Sequence, residues 1–156
     1  MFEKIELIKG ITFIILLNMI LLYNNIMLRI KTKLASSDID GIGLFAEEFI
    51  PAGATTWQYD PEFDTAFSED IINRIPKHVQ KQFMKYSYFD HDLKKYILCS
   101  DDQRFINHSN NPNIISTPSK DIALRDINKG EELLCDYAHY EHDWFERRDL
   151  KRETFK

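Results

Sequence analysis

The spacing of apolar positions changes along the chain, and each change predicts a different kind of element. Residues 11–23 are almost continuously apolar, broken only by Thr12 and Asn18. From Met27 the run Met-Leu-Arg-Ile-Lys-Thr-Lys-Leu alternates Leu28 and Ile30 against Arg29 and Lys31, the period of a half-buried first strand. Asp38-Ile39-Asp40-Gly41 predicts a turn into residues 43–46, and Pro51-Ala52-Gly53 a turn into a second hairpin strand over 54–59. Ser68-Glu69-Asp70 predicts a helix start, with the Ser68 hydroxyl as cap and two acids at the positive end of the dipole. Pro76 interrupts, and residues 78–86 predict another helical turn or two. Short strands are expected over 96–99, 113–116, 122–125 and 133–137. Many short strands without strand–helix–strand spacing argue against a doubly wound sheet and for a mainly β domain.

Composition narrows the class. At 156 residues, 44% hydrophobic and 13% aromatic, the chain has the material for one small core. Five glycines and five prolines leave no flexible linker or low-complexity tract. A net charge of −5 argues against direct nucleic-acid binding and is compatible with a basic peptide partner. Cys99 and Cys135 form no CxC or CxxC pair, so a reduced, cytoplasmic domain is the simplest expectation. Nothing in the pattern sets an oligomeric state.

The N-terminal 26 residues carry three open readings, in this order: an extension from a misassigned start, a membrane anchor, and a packed amphipathic helix. A membrane enters only through residues 11–28, a stretch near the lower limit for a span and weakened by Asn18, Asn24 and Asn25. If it spans, Arg29, Lys31 and Lys33 on its C-terminal side keep the main domain in the cytoplasm.

One segment obeys no period. Arg104-Phe105-Ile106-Asn107-His108-Ser109, closed by Asn111-Pro112-Asn113, crowds polar side chains around two apolar ones. Pro112 blocks a regular ladder bond, and Asn and His offer donors and acceptors that an ordinary core cannot use. Burying them is costly unless a ligand or another backbone meets them. The same composition also reads as a surface turn.

A second segment separates these readings. Residues 123–137, Ala-Leu-Arg-Asp-Ile-Asn-Lys-Gly-Glu-Glu-Leu-Leu-Cys-Asp-Tyr, follow ten residues later, and Gly41-Ile42-Gly43-Leu44-Phe45-Ala46 lies upstream. Together the three motifs resemble the SET-domain protein lysine methyltransferases, in the family's order and spacing, over roughly residues 28–140. The resemblance implies a β-clip-like SET domain over residues 27–140. That fold has several small twisted sheets, few short helices and a knot-like crossing of the Asn-His and Asp-Tyr segments. Residues 141–156 would form a short helical tail. The length suits a small stand-alone member.

The resemblance further implies S-adenosyl-L-methionine in one surface cleft, with a lysine of a protein or peptide entering from the opposite face. Backbone at Gly41, Ile42, Gly43 and Leu44 would approach the cofactor's amino-acid and sulfonium end, the glycines allowing a close approach. Asn107 would bond the cofactor's amine or carboxylate, and His108 would meet the adenine edge through its backbone, its imidazole serving structure. Tyr137 would carry catalysis by aligning amine and methyl, with no covalent intermediate. Without the motif, Tyr137 reads as a packed core tyrosine. Tyr88 is the first choice among the aromatics that could wall the lysine channel, ahead of Trp57, Tyr59, Tyr86 and Tyr96. Arg104 and Ser109 would hold the crossing, and Asp136 would brace its strand end.

Two departures from the family stand out. Asn110 and Asn111 follow Asn-His-Ser where many members have a cysteine, and no cysteine-rich zinc tail follows. Cys135, His139 and His142 cluster in sequence but lack a fourth ligand, so no metal is expected and the tail reads as a solvated helix. Trp144 or Phe145 would then cover the adenine ring. The expected function is protein-lysine N-methyl transfer. The alternative is a catalytically silent SET-like protein-binding module, membrane-tethered through residues 11–28.

Overall fold

The computed structural model describes residues 27–149, so the readings attached to residues 1–26 and the end of the tail, 150–156, lie outside the described residues. The described strands are β1 (Met27–Leu28), β2 (Thr32–Ser36), β3 (Ile42–Ala46), β4 (Thr55–Gln58), β5 (Thr65–Phe67), β6 (Ser87–Asp90), β7 (Lys95–Leu98), β8 (Asn107–His108), β9 (Ile114–Ser116), β10 (Lys120–Ala123) and β11 (Leu134–Cys135). Three short helices join them: α1 (Glu69–Ile72), α2 (Lys77–Tyr86) and α3 (Trp144–Arg147), with 3-10 turns at Asp102–Phe105 and Tyr137–His139. The strands form a six-stranded sheet in the order β1-β4-β10-β9-β11-β8, a β2-β3 pair and a β5-β7-β6 sheet. This is the mainly β architecture of several small sheets that the sequence predicts.

The alternation from Met27 serves two sheets. β1 pairs with β4, Arg29 N–H still donates to Thr56 O at 2.8 Å, and beyond Ile30 the chain passes to β2, which pairs with β3. Leu28 and Ile30 nevertheless both pack on the main core. Gly53 turns the chain with φ +81°, a conformation that disfavours any side chain. The strand it feeds is not a hairpin partner of β3, because residues 130–133 occupy β3's other edge. Ala46 N–H donates to Glu131 O, and Leu133 N–H to Leu44 O. β4 therefore pairs with β1 and β10 instead.

Ser68 occupies the N-cap of α1 with extended backbone, but its hydroxyl makes no cap bond. The nearby Ser68 hydroxyl, with Arg74 as a further cause, holds the Asp70 carboxyl below the usual range. α2 follows Pro76 as expected and lays Phe83 and Met84 against Ile72, Phe89 and Tyr96.

The aperiodic polar segment is the crossing. β11 runs parallel between β8 and β9, with Cys135 opposite both His108 and Ile114. Asn113 works there as extra backbone: its Nδ2 donates to Glu132 O and its Oδ1 accepts from Leu134 N–H, both at 2.8 Å. Ser109 N–H donates to Cys135 O at 2.9 Å. A second backbone thus meets the polar groups that burial would otherwise penalise. Beneath it lie Leu44, Ile50, Ile114, Ile127 and Leu133, all 0–1% exposed. Each contributes roughly 1.5–3 kcal/mol of burial. Trp57, Tyr88, Ile97 and Cys99 form a second cluster. Among the described residues no helix is long and apolar enough to cross a membrane.

Candidate active site

A cleft of about 740 Å³ opens between α2, the turn before β3, the Asp102–Phe105 turn and the C-terminal segment. Its size is that of a small-molecule site. Six basic side chains line it against three acidic ones, a positive excess on a chain of net charge −5. One pair is spent closing the rim: Lys85 Nζ bridges to Asp40 Oδ2 at 2.8 Å and ties α2 to the β2–β3 turn.

Asn107 forms part of the floor. Its Nδ2 donates to Glu132 Oε1 at 2.9 Å, Asp40 O at 3.1 Å and Ile42 O at 3.3 Å. All three neighbours are acceptors, so the amide nitrogen must face them and Oδ1 is the group left for a ligand. Glu132 is held in turn by Ser37 Oγ at 3.0 Å. The same carboxylate explains Gly43: a Cβ there would lie 2.7 Å from Glu132 Cδ and closer still to Oε1. Gly43 is therefore needed for packing beneath Asn107. Gly41, at φ +53°, shapes the turn and accepts from Ser37 N–H.

Tyr137 stands at the back of the cleft. Its hydroxyl donates to Ile106 O at 2.7 Å, and its N–H donates to His108 Nδ1 at 3.2 Å. His108 Nδ1 also lies 3.6 Å from Asp136 Oδ1, which would suit an ion pair. The acceptor role prevails at Nδ1, because the Tyr137 N–H at 3.2 Å is within hydrogen-bond reach and the Asp136 oxygen at 3.6 Å is not. The imidazole thus holds the Tyr137 backbone in place and serves as a brace. Burial, with Cys135 nearby, pushes the Tyr137 hydroxyl well above its usual range, so it remains a phenol. Trp144 lies 4.5 Å from the Tyr137 ring, tilted by 46°.

A smaller recess shares Lys85, Tyr86, Arg104, Tyr137 and Trp144 with the cleft and is completed by Tyr88, Tyr140 and Ile106 among others. Tyr88 donates its hydroxyl to Pro118 O at 2.7 Å and meets the Tyr140 ring edge-on at 5.5 Å. It offers the recess an aromatic surface, with its hydroxyl already bonded.

The tail is not a solvated helix. Glu141 is fully buried and Trp144 and Phe145 are 6–7% exposed. Arg148 anchors them: it pairs with Glu141 Oε1 at 2.8 Å and donates to Ser87 O, Met84 O and Trp144 O. Glu141 also accepts from Phe89 N–H at 2.9 Å. Burial pushes its carboxyl up while Arg148 pulls it down. The periodicity of a short tail cannot reveal this, because the partners lie on α2 and β6.

The structure gathers Ile42, Asn107, His108, Tyr137 and Trp144 at the cleft, with Tyr88 at the recess. Gly41 and Gly43 sit behind it as shaping residues. Leu44 is away from the lining: its side chain is in the core and its carbonyl accepts from Leu133 N–H. Phe145 packs edge-on to His108 at 5.2 Å, leaving Trp144 as the cleft aromatic. Tyr86 and Tyr96 also line the cleft, whereas Trp57 and Tyr59 line neither cavity. Arg104 lines it too, while Nη1 donates to Cys99 O at 3.2 Å. Asp40, Glu132, Glu141 and Arg148 were not legible as site residues, since each acts through a partner distant in sequence.

Many solved structures share this fold, and three of them show its range. A humanized mutant of the Chaetomium thermophilum Polycomb Repressive Complex 2, bound to an inhibitor, matches at 23% identity and TM-score 0.53 over 71% of this chain and 15% of that one. An active polycomb repressive complex 2 in its basal state matches at 26% and 0.55 over 69% and 15%. A candidate histone methyltransferase of Plasmodium falciparum matches at 20% and 0.53 over 70% and 95%. The chain thus spans about 15% of the length of those Polycomb chains. No curated protein sequence matches it. The SET domain family model matches residues 41–138, from the glycine turn through the crossing to just past Tyr137, and the chain belongs to the SET-domain family.

Proposed function

We propose that this chain is a protein-lysine N-methyltransferase that takes its methyl group from S-adenosyl-L-methionine. The observation that carries the reading is Tyr137 as a common wall of a cofactor-sized cleft and a small aromatic recess. Such a residue can touch both reactants of a two-substrate transfer. The cleft also fits the cofactor chemically. Asn107 Oδ1 can accept from an amino group, basic side chains can meet a carboxylate, and Trp144 offers a face to a planar ring.

When bound, S-adenosyl-L-methionine supplies a methyl group on an electrophilic sulfonium. The protein's task is then to present a neutral amine in line with it. A lysine ammonium has an ordinary pKa near 10.4, so it must lose a proton before it can attack. Tyr88, Tyr137 and Tyr140 provide a dehydrated aromatic surround, which favours the neutral amine over the cation. Tyr137 gives its proton to Ile106 O, so its oxygen lone pairs are available to an amine hydrogen. The raised phenol pKa keeps that role fixed across neutral pH. His108 holds the Tyr137 backbone, and the chain contributes alignment and exclusion of water rather than covalent chemistry.

The test uses the full chain with methyl-labelled cofactor, lysine-bearing peptides and a cell lysate. Cofactor binding by calorimetry and labelled methyl-lysine are the expected results. Tyr137→Phe should keep cofactor affinity and lower turnover by roughly 10²-fold, as when a preorganised polar contact is removed. Folded protein that binds no cofactor, or Tyr137→Phe turning over at the wild-type rate, refutes the reading.

A further inference from the structure

We propose that His91, His142 and Asp143 form a binding site for one divalent transition metal, with zinc the best-suited ion. One ligand atom from each lies within 4.8 Å of the other two. His91 stands in the turn between β6 and β7, whereas His142 and Asp143 immediately precede α3. His91 and Asp143 are 52 positions apart in sequence, and their contact exists only in the folded chain.

One pair of ligand atoms is already at the spacing a metal requires, and the His142 nitrogen has to close in from within 4.8 Å. Tetrahedral zinc with bonds of about 2.0–2.1 Å places its ligand atoms roughly 3.4 Å apart. His91 Nε2 and Asp143 Oδ1 are already 3.1 Å apart. A hydrogen bond alone accounts for that pair, but not for the third member. The His142 ring stacks on His91 at 4.4 Å between centroids and 26° between planes, bringing two imidazoles to a single carboxylate. A shared cation satisfies both rings and the carboxylate together. Two imidazoles and one carboxylate with an open fourth position are a donor set used by zinc and its divalent neighbours.

The outer contacts hold the ligands in place. Asp143 Oδ2 accepts from Arg147 Nε at 2.7 Å, which leaves Oδ1 as its ligating oxygen. The His91 ring lies edge-on to Phe89 at 5.1 Å. The side chains of His91 and Asp143 are 33% and 21% accessible, so an ion can enter from solvent. His139 and Cys135, the neighbours that the sequence suggests, are not members of this group.

A bound ion would tie the β6–β7 turn to the segment that leads into Trp144 and Arg147, two residues of the cleft wall. Metal binding should therefore tighten cofactor binding, a consequence that rests on the methyltransferase reading. The site itself does not.

Full-length protein, stripped with a chelator and dialysed, is titrated with zinc chloride in the absence of cofactor. One equivalent should bind per chain by calorimetry and raise the melting temperature. His91→Ala and His142→Ala should each weaken binding at least about 10-fold, since loss of an outer-shell partner alone costs that much. His139→Ala should leave it unchanged. Lack of zinc binding, retention of full affinity in His91→Ala, or loss of binding in His139→Ala overturns the site. Cofactor affinity should then be several-fold higher with zinc than with chelator in wild type, and equal in His91→Ala. Equal affinities in wild type overturn the coupling, whereas failure to bind cofactor under both conditions counts against the methyltransferase reading alone.

Discussion

Replacing Arg148 by Met removes the cation that lets Glu141 stay buried, and the cost can be worked from the structure. Glu141 is 0% exposed, and with Arg148 gone it keeps only the Phe89 N–H as a partner. The carboxyl can escape by taking a proton. From an ordinary glutamate pKa of about 4.3, protonation at pH 7 costs about 3.7 kcal/mol, at about 1.4 kcal/mol per unit. That agrees with the roughly 3–5 kcal/mol seen when one partner of a buried pair is removed. It is a large share of the ~5–15 kcal/mol that holds a domain of this size together. The sign with pH follows. Glu141 has a folded pKa above its unfolded value, and losing Arg148 raises it further. Its favourable contribution is complete below the unfolded pKa and is lost as pH rises through the folded one. The penalty of Arg148→Met should therefore shrink to about 1 kcal/mol of protonation cost at pH 5. Urea unfolding at pH 7 and pH 5 reads this directly, with the slope unchanged and the midpoint shifted. Adding Glu141→Gln should recover much of the loss at pH 7, because the pair is coupled. A loss below about 1 kcal/mol at pH 7, or no narrowing at pH 5, refutes the account of the tail as pinned by this pair.

Gly43→Ala should displace the Glu132 carboxylate and strip Asn107 and Ser37 of an acceptor, costing about 1–3 kcal/mol and weakening cofactor binding about tenfold. Calorimetry showing wild-type affinity in that variant would remove Glu132 from the site. Asp121, 1% exposed, is pushed up to about 7 by burial, against the Gln103 amide, which donates to its Oδ2 at 3.2 Å and pulls it down. Its folded pKa lies above the ordinary value, so its contribution is full below pH 3.8 and lost as pH rises through about 7. Asp121→Asn should accordingly gain roughly 2–4 kcal/mol on wild type between pH 4 and pH 8, at about 1.4 kcal/mol per unit. Parallel pH–stability profiles for the two proteins would show that Asp121 does not titrate this way.

Local chemistry was legible wherever one segment carried its own reason. Pro76 and the residues after it specified α2, the glycines specified the turns at 41 and 53, and many short strands specified a mainly β domain. The polar block around Asn107 and His108 announced a site because its groups had no local use, and its fit with the Gly41–Gly43 turn and the Asp136-Tyr137 end named the family. Pairing was not legible. Residues 54–59 read as half of a hairpin, but main-chain hydrogen bonds are alike for every residue, and β3's free edge was taken by residues 130–133. Nor could the tail be read: Arg148 and Glu141 are ordinary surface residues by type, and only partners on α2 and β6 make them buried. The same holds for His91 beside His142 and Asp143. Sequence by itself determined what each stretch is able to form and which polar groups need an answer. Only the tertiary structure decided which distant groups supply it, because burial and hydrogen-bond partnership depend on separation in space, not along the chain.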